Sequence, residues 1–325
     1  MLNRRSLLQS LLLGPALLPL GGRAASSASR LVLLGTQGGP NINLQRGETA
    51  SAFVVNDVAY LIDCGYGTLR ALIASGISYL TVGQIFLTHL HDDHNADLPA
   101  LLGHQWTQGR VLPTTVYGPF GTDALVQAAN LFNQANTDIR LVDEARSVQP
   151  ADLFHGSVVV ASAQPQSVFA DDNVRVSAVE NTHYPAEAKA RMPHRALSYR
   201  FDAADRSVVF SGDTAYSDNL VALARGADVL VCEAMDVDAF RARFEQMVAS
   251  GNYADNPEGI WAHIVGTHTP TADAGRMAAA AGVDTLVLNH LIPGGLGGLD
   301  DSAYIDAARQ HFSGTIIVGR DQQVL

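Results

Sequence analysis

One short segment, Thr88–His94 with the sequence THLHDDH, constrains this chain more than any other feature. It places three imidazoles and two carboxylates within six consecutive residues, directly after the apolar run Ile85–Leu87. Burying so many ionisable groups without a metal or a charged partner costs several kcal/mol for each group, so the segment is unsuited to a hydrophobic core. A solvated polar turn is the ordinary alternative, but the density of ligand-type side chains favours a metal site.

The spacing of these side chains indicates two neighbouring ions. Residues i and i+2 of an extended segment point the same way, so His89 and His91 can share one ion, and the turn that follows lets Asp93 and His94 reach a second. Asp92 does not share the i, i+2 alternation of His89 and His91, so we assign it no role. The segment resembles the His-x-His-x-Asp-His motif of the metallo-β-lactamase-fold hydrolases, which His89, His91, Asp93 and His94 match.

Three later strand-like runs also end in a residue of a metal-ligand type. These residues are His183, Asp213 and His290. Taken singly, a histidine after a strand or an aspartate after Ser-Gly is more often a surface, core or turn residue. Their recurrence at separate strand ends favours a shared site. Five further histidines lack this context and are expected not to be ligands; they are His104, His155, His194, His263 and His311.

The family resemblance implies how these ligands divide between two ions. The first metal would have the ligands His89, His91 and His183, and the second would have Asp93, His94 and His290. Asp213 would bridge both, and Asp93 is also expected among the catalytic residues. We expect two Zn²⁺ ions, with Mn²⁺ or iron as alternatives. Two ions about 3.5–4 Å apart lower the pKa of a bridging water towards ~7, so that a hydroxide can attack the substrate at neutral pH.

Further stretches narrow the resemblance to the ribonuclease Z and arylsulfatase-like branch of this superfamily. They are Leu34–Pro40 (LGTQGGP), Ser211–Thr214 (SGDT), Thr267–Thr269 (THT) and Leu288–His290 (LNH). The resemblance implies that His268 stabilises the developing charge or protonates the leaving oxygen, and a turn histidine at a helix terminus is an equal alternative. It also implies that Asp63 orients the His-rich loop, against the alternative of an ordinary turn residue. Class B β-lactamases have a cysteine where this chain has Asp213, which disfavours that activity.

Apolar runs alternate with segments of helical period along the rest of the chain. With 325 residues, of which 47% are apolar and 16% are charged, the chain has ample material for a large core. Two series of strands interrupted by helices predict one α/β domain over 29–325, built as the four-layer αβ/βα sandwich of the metallo-β-lactamase fold. Within it we expect Leu141–Asp172 to be strand-rich and His290 to follow the end of a strand over Thr285–Leu288.

The N-terminal residues 1–28 have the pattern of an export signal. Arg4 and Arg5 give a basic start, Leu11–Leu20 is a short apolar run, and Gly22–Ala25 offers a cleavage site among small residues. The run is too short to span a bilayer comfortably, so no stable membrane anchor is expected. The paired arginines resemble a twin-arginine signal, which implies a periplasmic or secreted protein. A general secretory signal or an uncleaved anchor is the alternative.

The charge balance disfavours a nucleic-acid partner. The formal net charge is −11, and loss of Arg4, Arg5 and Arg23 with the signal would make the mature chain more acidic still. Such a surface repels polyanions, export would separate the protein from tRNA, and the sequence has no Lys-rich insertion.

Cys64 and Cys232 could pair in an oxidising compartment, but each ends an apolar strand-like run and free buried thiols are expected.

Together these features predict a dinuclear metal-dependent hydrolase of a small ester. Aryl sulfates and phosphodiesters are the favoured substrates and lactones come next. A tRNA 3′ endonuclease of the ribonuclease Z type and a non-catalytic binding module are the weaker alternatives. Specificity is expected in the loops Trp106–Leu112, Met235–Trp261 and Leu291–Asp300, where the aromatic side chains form either a substrate wall or part of the core. The oligomeric state is open, with a homodimer as one option.

Overall fold

The computed structural model describes residues 28–39, 42, 44–251, 255–294 and 301–325. Nearly all of the predicted export signal, over residues 1–27, lies outside the described residues. So do Pro40 of the glycine-rich stretch and residues 295–300 of the third predicted specificity loop. No helix among the described residues is both long enough and apolar enough to cross a bilayer.

The first of two seven-stranded sheets is built mainly from the N-terminal half of the chain. Its strands are β1 (Arg30–Gly35), β2 (Ala50–Val55), β3 (Val58–Ile62), β4 (Gln84–Phe86), β5 (Thr114–Gly118), β6 (Phe154–Val158) and, from the C-terminus, β14 (Gln323–Val324). They lie in the order β14-β1-β2-β3-β4-β5-β6. Asn56 and Asp57, both with positive φ, make the tight turn between β2 and β3.

The second sheet follows in the C-terminal half. Its strands are β7 (Gln166–Ala170), β8 (Val174–Glu180), β9 (Leu197–Ala203), β10 (Ser207–Phe210), β11 (Val229–Met235), β12 (Thr285–Ile292) and β13 (Thr315–Val318). They lie in the order β13-β12-β11-β10-β9-β8-β7, and β10 to β13 pair in parallel. Every residue of β11 is buried, as expected for a parallel strand that is covered on both faces.

Helices connect the strands and cover the outer faces of both sheets. They are α1 (Thr68–Ala74), α2 (Leu98–Thr107), α3 (Thr122–Phe132), α4 (Gln134–Asp143), α5 (Pro150–Leu153), α6 (Ala186–Lys189), α7 (Asp218–Ala224), α8 (Val237–Ala249), α9 (Pro257–Thr267), α10 (Thr271–Ala281) and α11 (Asp301–Arg309). α10 shows why such segments are helical. It buries Ala274, Met277, Ala278 and Ala281 along one face and ends at Gly282 in a left-handed conformation.

Three apolar layers separate the two sheets and their helices. Leu61 of β3, Leu72 of α1 and Leu101 of α2 belong to the layer outside the first sheet. Rings such as Phe53, Phe86 and Phe201 fill the layer between the sheets. Residues such as Leu220 of α7, Leu230 of β11 and Met277 of α10 fill the layer outside the second sheet. The predicted four-layer αβ/βα sandwich is therefore confirmed.

The two cysteines lie in different layers of this sandwich. Cys64 belongs to the apolar layer outside the first sheet, and Cys232 belongs to the layer outside the second. Both are buried free thiols. Burial raises the pKa of the Cys64 thiol well above its ordinary value, so this side chain behaves as a small apolar core residue.

Strand direction brings the predicted site residues to one edge of the sandwich. β3 and β4 run parallel, so Asp63 and His89 emerge side by side beyond their carboxyl ends. β8 and β10 both run antiparallel to β9, and β11 and β12 run parallel to β10. The carboxyl ends of β8, β10, β11 and β12 therefore face the same edge, and they carry the residues that follow or close each strand.

Two local expectations were wrong. β12 does not end before His290 but continues to Ile292, and His290 is an extra residue at a register shift opposite β11, with a φ of 41°. This bulge turns the imidazole towards the site without ending the strand. The span over Leu141–Asp172 is not strand-rich at its start, because α4 extends to Asp143 and α5 follows.

Trp106 belongs to the core and not to a substrate wall. It lies within α2, is 2% exposed, and packs in the layer outside the first sheet. Its indole N–H donates to the carbonyl oxygen of Val148 at 2.9 Å. Phe240 and Phe244 are likewise buried, between α8 and its neighbours. Core packing, one of the two predicted alternatives, explains these aromatic residues.

Candidate metal centre

One group of ligand-type atoms gathers where β4, β8 and β10 end. It comprises His89, His91, His183 and Asp213, whose potential ligand atoms all lie within 4.8 Å of one another. Nδ1 of His91 is 3.0 Å from Nε2 of His89 and 3.3 Å from Nε2 of His183. Oδ2 of Asp213 is 3.7 Å from Nε2 of His89. These three imidazoles are the ones that the resemblance assigns to a first metal.

A second group lies directly beside the first. It comprises Asp93, His94, Asp213 and His290, again with potential ligand atoms within 4.8 Å of one another. Oδ1 of Asp213 is 3.1 Å from Nε2 of His94 and 3.2 Å from Nε2 of His290. Oδ2 of Asp93 is 3.5 Å and 3.2 Å from the same two nitrogens. Asp213 thus turns one carboxylate oxygen towards each group, which is the arrangement of a bridging ligand.

The spacing of these atoms fits divalent ions. A tetrahedral zinc ion with ligands at about 2.0–2.1 Å places neighbouring ligand atoms roughly 3.3 Å apart. The distances given above, between two ring nitrogens or between a ring nitrogen and a carboxylate oxygen, run from 3.0 Å to 3.7 Å. His94 Nε2 and Asp213 Oδ1 are buried and have no hydrogen-bond partner, which is costly unless an ion coordinates them. Both groups therefore fit a metal, and their donors suit zinc.

Local electrostatics keep His89, His183 and Asp213 in their ligand forms. Burial holds the pKa of His89 and of His183 well below the ordinary value, so both imidazoles are neutral and retain a lone pair. Burial alone would raise the pKa of Asp213, but His290 and His94 outweigh it and hold that pKa well below its usual range. Asp213 is thus a carboxylate, as a bridging ligand must be.

Hydrogen bonds orient the imidazoles from behind. Asp63 is buried with a φ of 58°; its carboxylate accepts from the Thr88 N–H at 2.8 Å and from His94 Nδ1–H at 2.9 Å. The Thr267 carbonyl oxygen accepts from His183 Nδ1–H at 3.2 Å. Because Nδ1 of each ring carries the proton, Nε2 is left for an ion. Asp63 thus lies where the resemblance expects an orienting aspartate.

A buried glutamate completes the site and was missed at the sequence level. Glu233, on β11, accepts from His268 Nδ1–H at 2.8 Å and from the Thr214 N–H at 2.5 Å. Burial alone would lower the pKa of His268, but Glu233 outweighs it and raises that pKa to about 9. His268 Nδ1 is 3.8 Å from Oδ2 of Asp213, beside the predicted ligands. The pair resembles a proton donor held by a carboxylate.

The histidines that were expected not to be metal ligands separate into two sets. His104, His155, His194 and His311 belong to none of the metal-competent groups among the described residues, and Asp92 is exposed. His263 differs, because it lies beside His183 and His268 at the solvent side of the centre. Its place on α9 could not be read from the sequence, where it lacks the strand-end context of the other site histidines.

A pair of glycines packs against the second group. The Gly39 N–H donates to Oδ2 of Asp93 at 2.9 Å. A Cβ atom on Gly39 would lie 2.2 Å from that oxygen, and a Cβ atom on Gly38 would lie 2.9 Å from Nδ1 of His290. The glycines of the Leu34–Pro40 stretch therefore allow close approach of the backbone to the site side chains.

Gly39→Ala is expected to weaken binding of the second ion by about 10- to 100-fold, because the added methyl group displaces the Asp93 carboxylate. Zinc titration of the apoprotein, followed by elemental analysis, measures the effect. Gly266→Ala is the matched control, since its Cβ would meet no atom within 4 Å. Equal zinc affinity in the Gly39 variant and the control would contradict the role of this close contact.

Comparison with known proteins agrees with this geometry. A model of the β-lactamase superfamily domain matches residues 58–291. Ribonuclease Z of Mycobacterium bovis (strain BCG / Pasteur 1173P2) is 29% identical over 294 residues, which are 90% of this chain and 95% of that protein.

Two solved structures share the fold over nearly the whole chain. The metallo-β-lactamase fold protein YhfI of Bacillus subtilis has a TM-score of 0.63 at 19% identity, and covers 92% of this chain and 100% of its own. Human tRNase Z, short form, has a TM-score of 0.59 at 21% identity, over 91% of this chain and 98% of its own. At such low identity these structures show the fold alone. Together with the domain match and the ribonuclease Z homology, they establish that the chain belongs to the β-lactamase superfamily, as a metallo-β-lactamase-fold, metal-dependent hydrolase of ester bonds.

Proposed function

We propose that the chain is a dinuclear zinc hydrolase of small phosphodiesters or aryl sulfates that works outside the cytoplasm. The observation that carries the proposal is Asp213, which turns one oxygen towards each of two groups of ligand atoms. Two divalent ions held there would polarise the ester and activate the attacking water. Export is proposed from the twin-arginine-like pattern at Arg4 and Arg5.

The chain's own residues divide the remaining tasks. Asp63 and the Thr267 carbonyl hold His94 and His183 in the tautomer that leaves Nε2 for an ion. His268 uses Nδ1 to bond Glu233, so Nε2 is the nitrogen that can meet a substrate. In that position it can donate a proton to the leaving oxygen, a step that general-acid catalysis typically makes faster by about 10²–10⁴-fold.

Glu233→Gln is expected to lower kcat about 10- to 100-fold with two ions still bound. The amide keeps the size of the side chain but removes the negative charge that holds the proton on His268. The measurement is steady-state hydrolysis of bis-p-nitrophenyl phosphate together with elemental analysis. Glu144→Gln, on an exposed ion pair with Arg146, is the control and should match the wild type. An unchanged kcat in the Glu233 variant would refute the proton-donor pair.

A second candidate function is tRNA 3′ processing, which the 29% identity to a ribonuclease Z supports. The formal net charge of the chain is −11, so its surface is expected to repel a polyanionic partner. Loss of the export signal's arginines makes the mature chain more acidic still. We therefore rank small esters first and keep precursor tRNA as the competing substrate.

A substrate screen distinguishes these functions. Zinc-loaded mature protein would be assayed with p-nitrophenyl sulfate, bis-p-nitrophenyl phosphate, a lactone and a precursor tRNA. The proposal predicts turnover of the sulfate or the phosphodiester with the highest kcat/KM. Preferential cleavage of the precursor tRNA would establish the second function instead. Fully loaded protein that hydrolyses none of the four would contradict both.

A further inference from the structure

The helix α9 presents two different faces. Ile260, Trp261 and Ile264 lie on one face and pack against α8 in a small apolar cluster. Within it the rings of Phe240 and Trp261 stack with centroids 5.6 Å apart and planes at 8°. His263 lies on another face of the same helix, where it is exposed. The apolar cluster thus fixes the helix, and the helix determines where His263 lies.

His263 lies at the solvent side of the metal centre. Its ring centroid is 6.0 Å from that of His91, 5.6 Å from that of His183 and 6.0 Å from that of His268. One of its ring nitrogens lies within 4.8 Å of a ring nitrogen of His183 and of His268. An exposed imidazole therefore lies within reach of a group bound beside these predicted ligands.

Thr267 ties His263 to the first group of ligands. Its hydroxyl lies 3.4 Å from His263 Nδ1 and donates to the His263 carbonyl oxygen at 2.8 Å. The carbonyl oxygen of the same Thr267 accepts from His183 Nδ1–H. One helical turn therefore sets the distance between the His263 ring and a predicted metal ligand.

A third ion shared by His183, His263 and His268 is disfavoured by the hydrogen bonds already present. His183 uses Nδ1 for the Thr267 carbonyl and turns Nε2 towards His91. His268 uses Nδ1 for Glu233. An additional ion would have to break one of these contacts. A hydrogen bond from His263 to a bound molecule requires no such change.

We propose that His263 is a substrate-binding residue, which donates a hydrogen bond to a non-bridging oxygen of a tetrahedral anionic ester group. This inference rests on the proposed function, because it assumes a phosphoryl or sulfuryl group at the metal centre. Such groups carry oxygens that accept strong, charge-assisted hydrogen bonds. His263 would then meet the ester from the solvent side of the centre, and the buried His268 would lie next to it.

Inorganic phosphate is the probe, since its binding does not depend on turnover. Calorimetric titration of the zinc-loaded full chain would compare wild type with His263→Ala and His263→Gln. We expect about tenfold weaker binding for the alanine variant, since one charge-assisted hydrogen bond is lost, and partial recovery for glutamine, which retains a donor. Zinc content should be equal in all three proteins. His104→Ala, at an exposed histidine of α2, is the matched control and should bind as the wild type does.

Equal phosphate affinity in the wild type and His263→Ala would overturn the inference. Loss of zinc from the alanine variant would also overturn it, because the residue would then act on the metal centre and not on the substrate. So would a wild-type protein that binds no phosphate. Phosphate binding that depends on His263, in a protein that hydrolyses no ester, would refute the proposed function and with it the role in substrate binding, and would leave only an anion-binding role for His263.

Discussion

Replacing Asp213 with alanine is expected to lower kcat/KM for the preferred ester by at least ~10³-fold, because loss of several kcal/mol of metal-ion catalysis corresponds to that factor. The carboxylate contacts both groups of ligand atoms, with Oδ2 facing His89 and Oδ1 facing His94 and His290. Its removal should therefore also reduce bound zinc below two ions per chain. Steady-state kinetics and elemental analysis of the same preparation measure both effects.

Asp92→Ala is the matched control, because Asp92 is an exposed residue within the same His-rich segment and belongs to neither group. It should retain full activity and both ions. Asp213→Asn provides a second test in which the size of the side chain is kept. Circular dichroism would show that each variant is folded. Two ions and near wild-type turnover in both Asp213 variants would contradict the bridging role.

Removal of the ions by a chelator is expected to abolish hydrolysis and to lower Tm by roughly 10 °C. An ion present at 1,000 times its Kd stabilises the folded state by about 4 kcal/mol, and each kcal/mol shifts Tm by about 2–4 °C in a chain near this size. Differential scanning calorimetry with and without chelator measures the shift.

Adding zinc back to the chelated protein should restore both Tm and turnover. Magnesium should restore much less, because it prefers oxygen ligands and an octahedral site, whereas the two groups offer mostly imidazole nitrogens. A Tm and a turnover that are insensitive to the chelator would mean that the histidine and carboxylate groups bind no catalytic ion.

Many residues of this site could be predicted because the ends of apolar strands can be recognised in the amino-acid sequence. His89, His183 and Asp213 each follow an apolar strand, and β8 and β10 share one direction because both run antiparallel to β9. The i, i+2 spacing of His89 and His91 likewise predicts that their nitrogens approach, and the structure places them 3.0 Å apart. Local sequence patterns were sufficient to predict a site residue where its position depends only on the strand that it follows.

The features that sequence missed depend on neighbours far along the chain. Glu233 follows Cys232 in a strand that appears simply apolar, and its role arises because β11 lies between β10 and β12. The bulge at His290 likewise exists only through the register of β12 against β11. α4 was not predicted: it buries only Thr137, exposes Ile139 and Val142, and packs the half-buried Leu141 against the core, so few of its apolar residues mark a core-facing side.

The most direct test of the dinuclear centre is anomalous diffraction at the zinc edge, on crystals of the zinc-loaded mature protein. We predict two peaks about 3.5–4 Å apart, one among His89, His91 and His183 and the other among Asp93, His94 and His290, with Asp213 between them. A single peak, or peaks away from these side chains, would contradict the account.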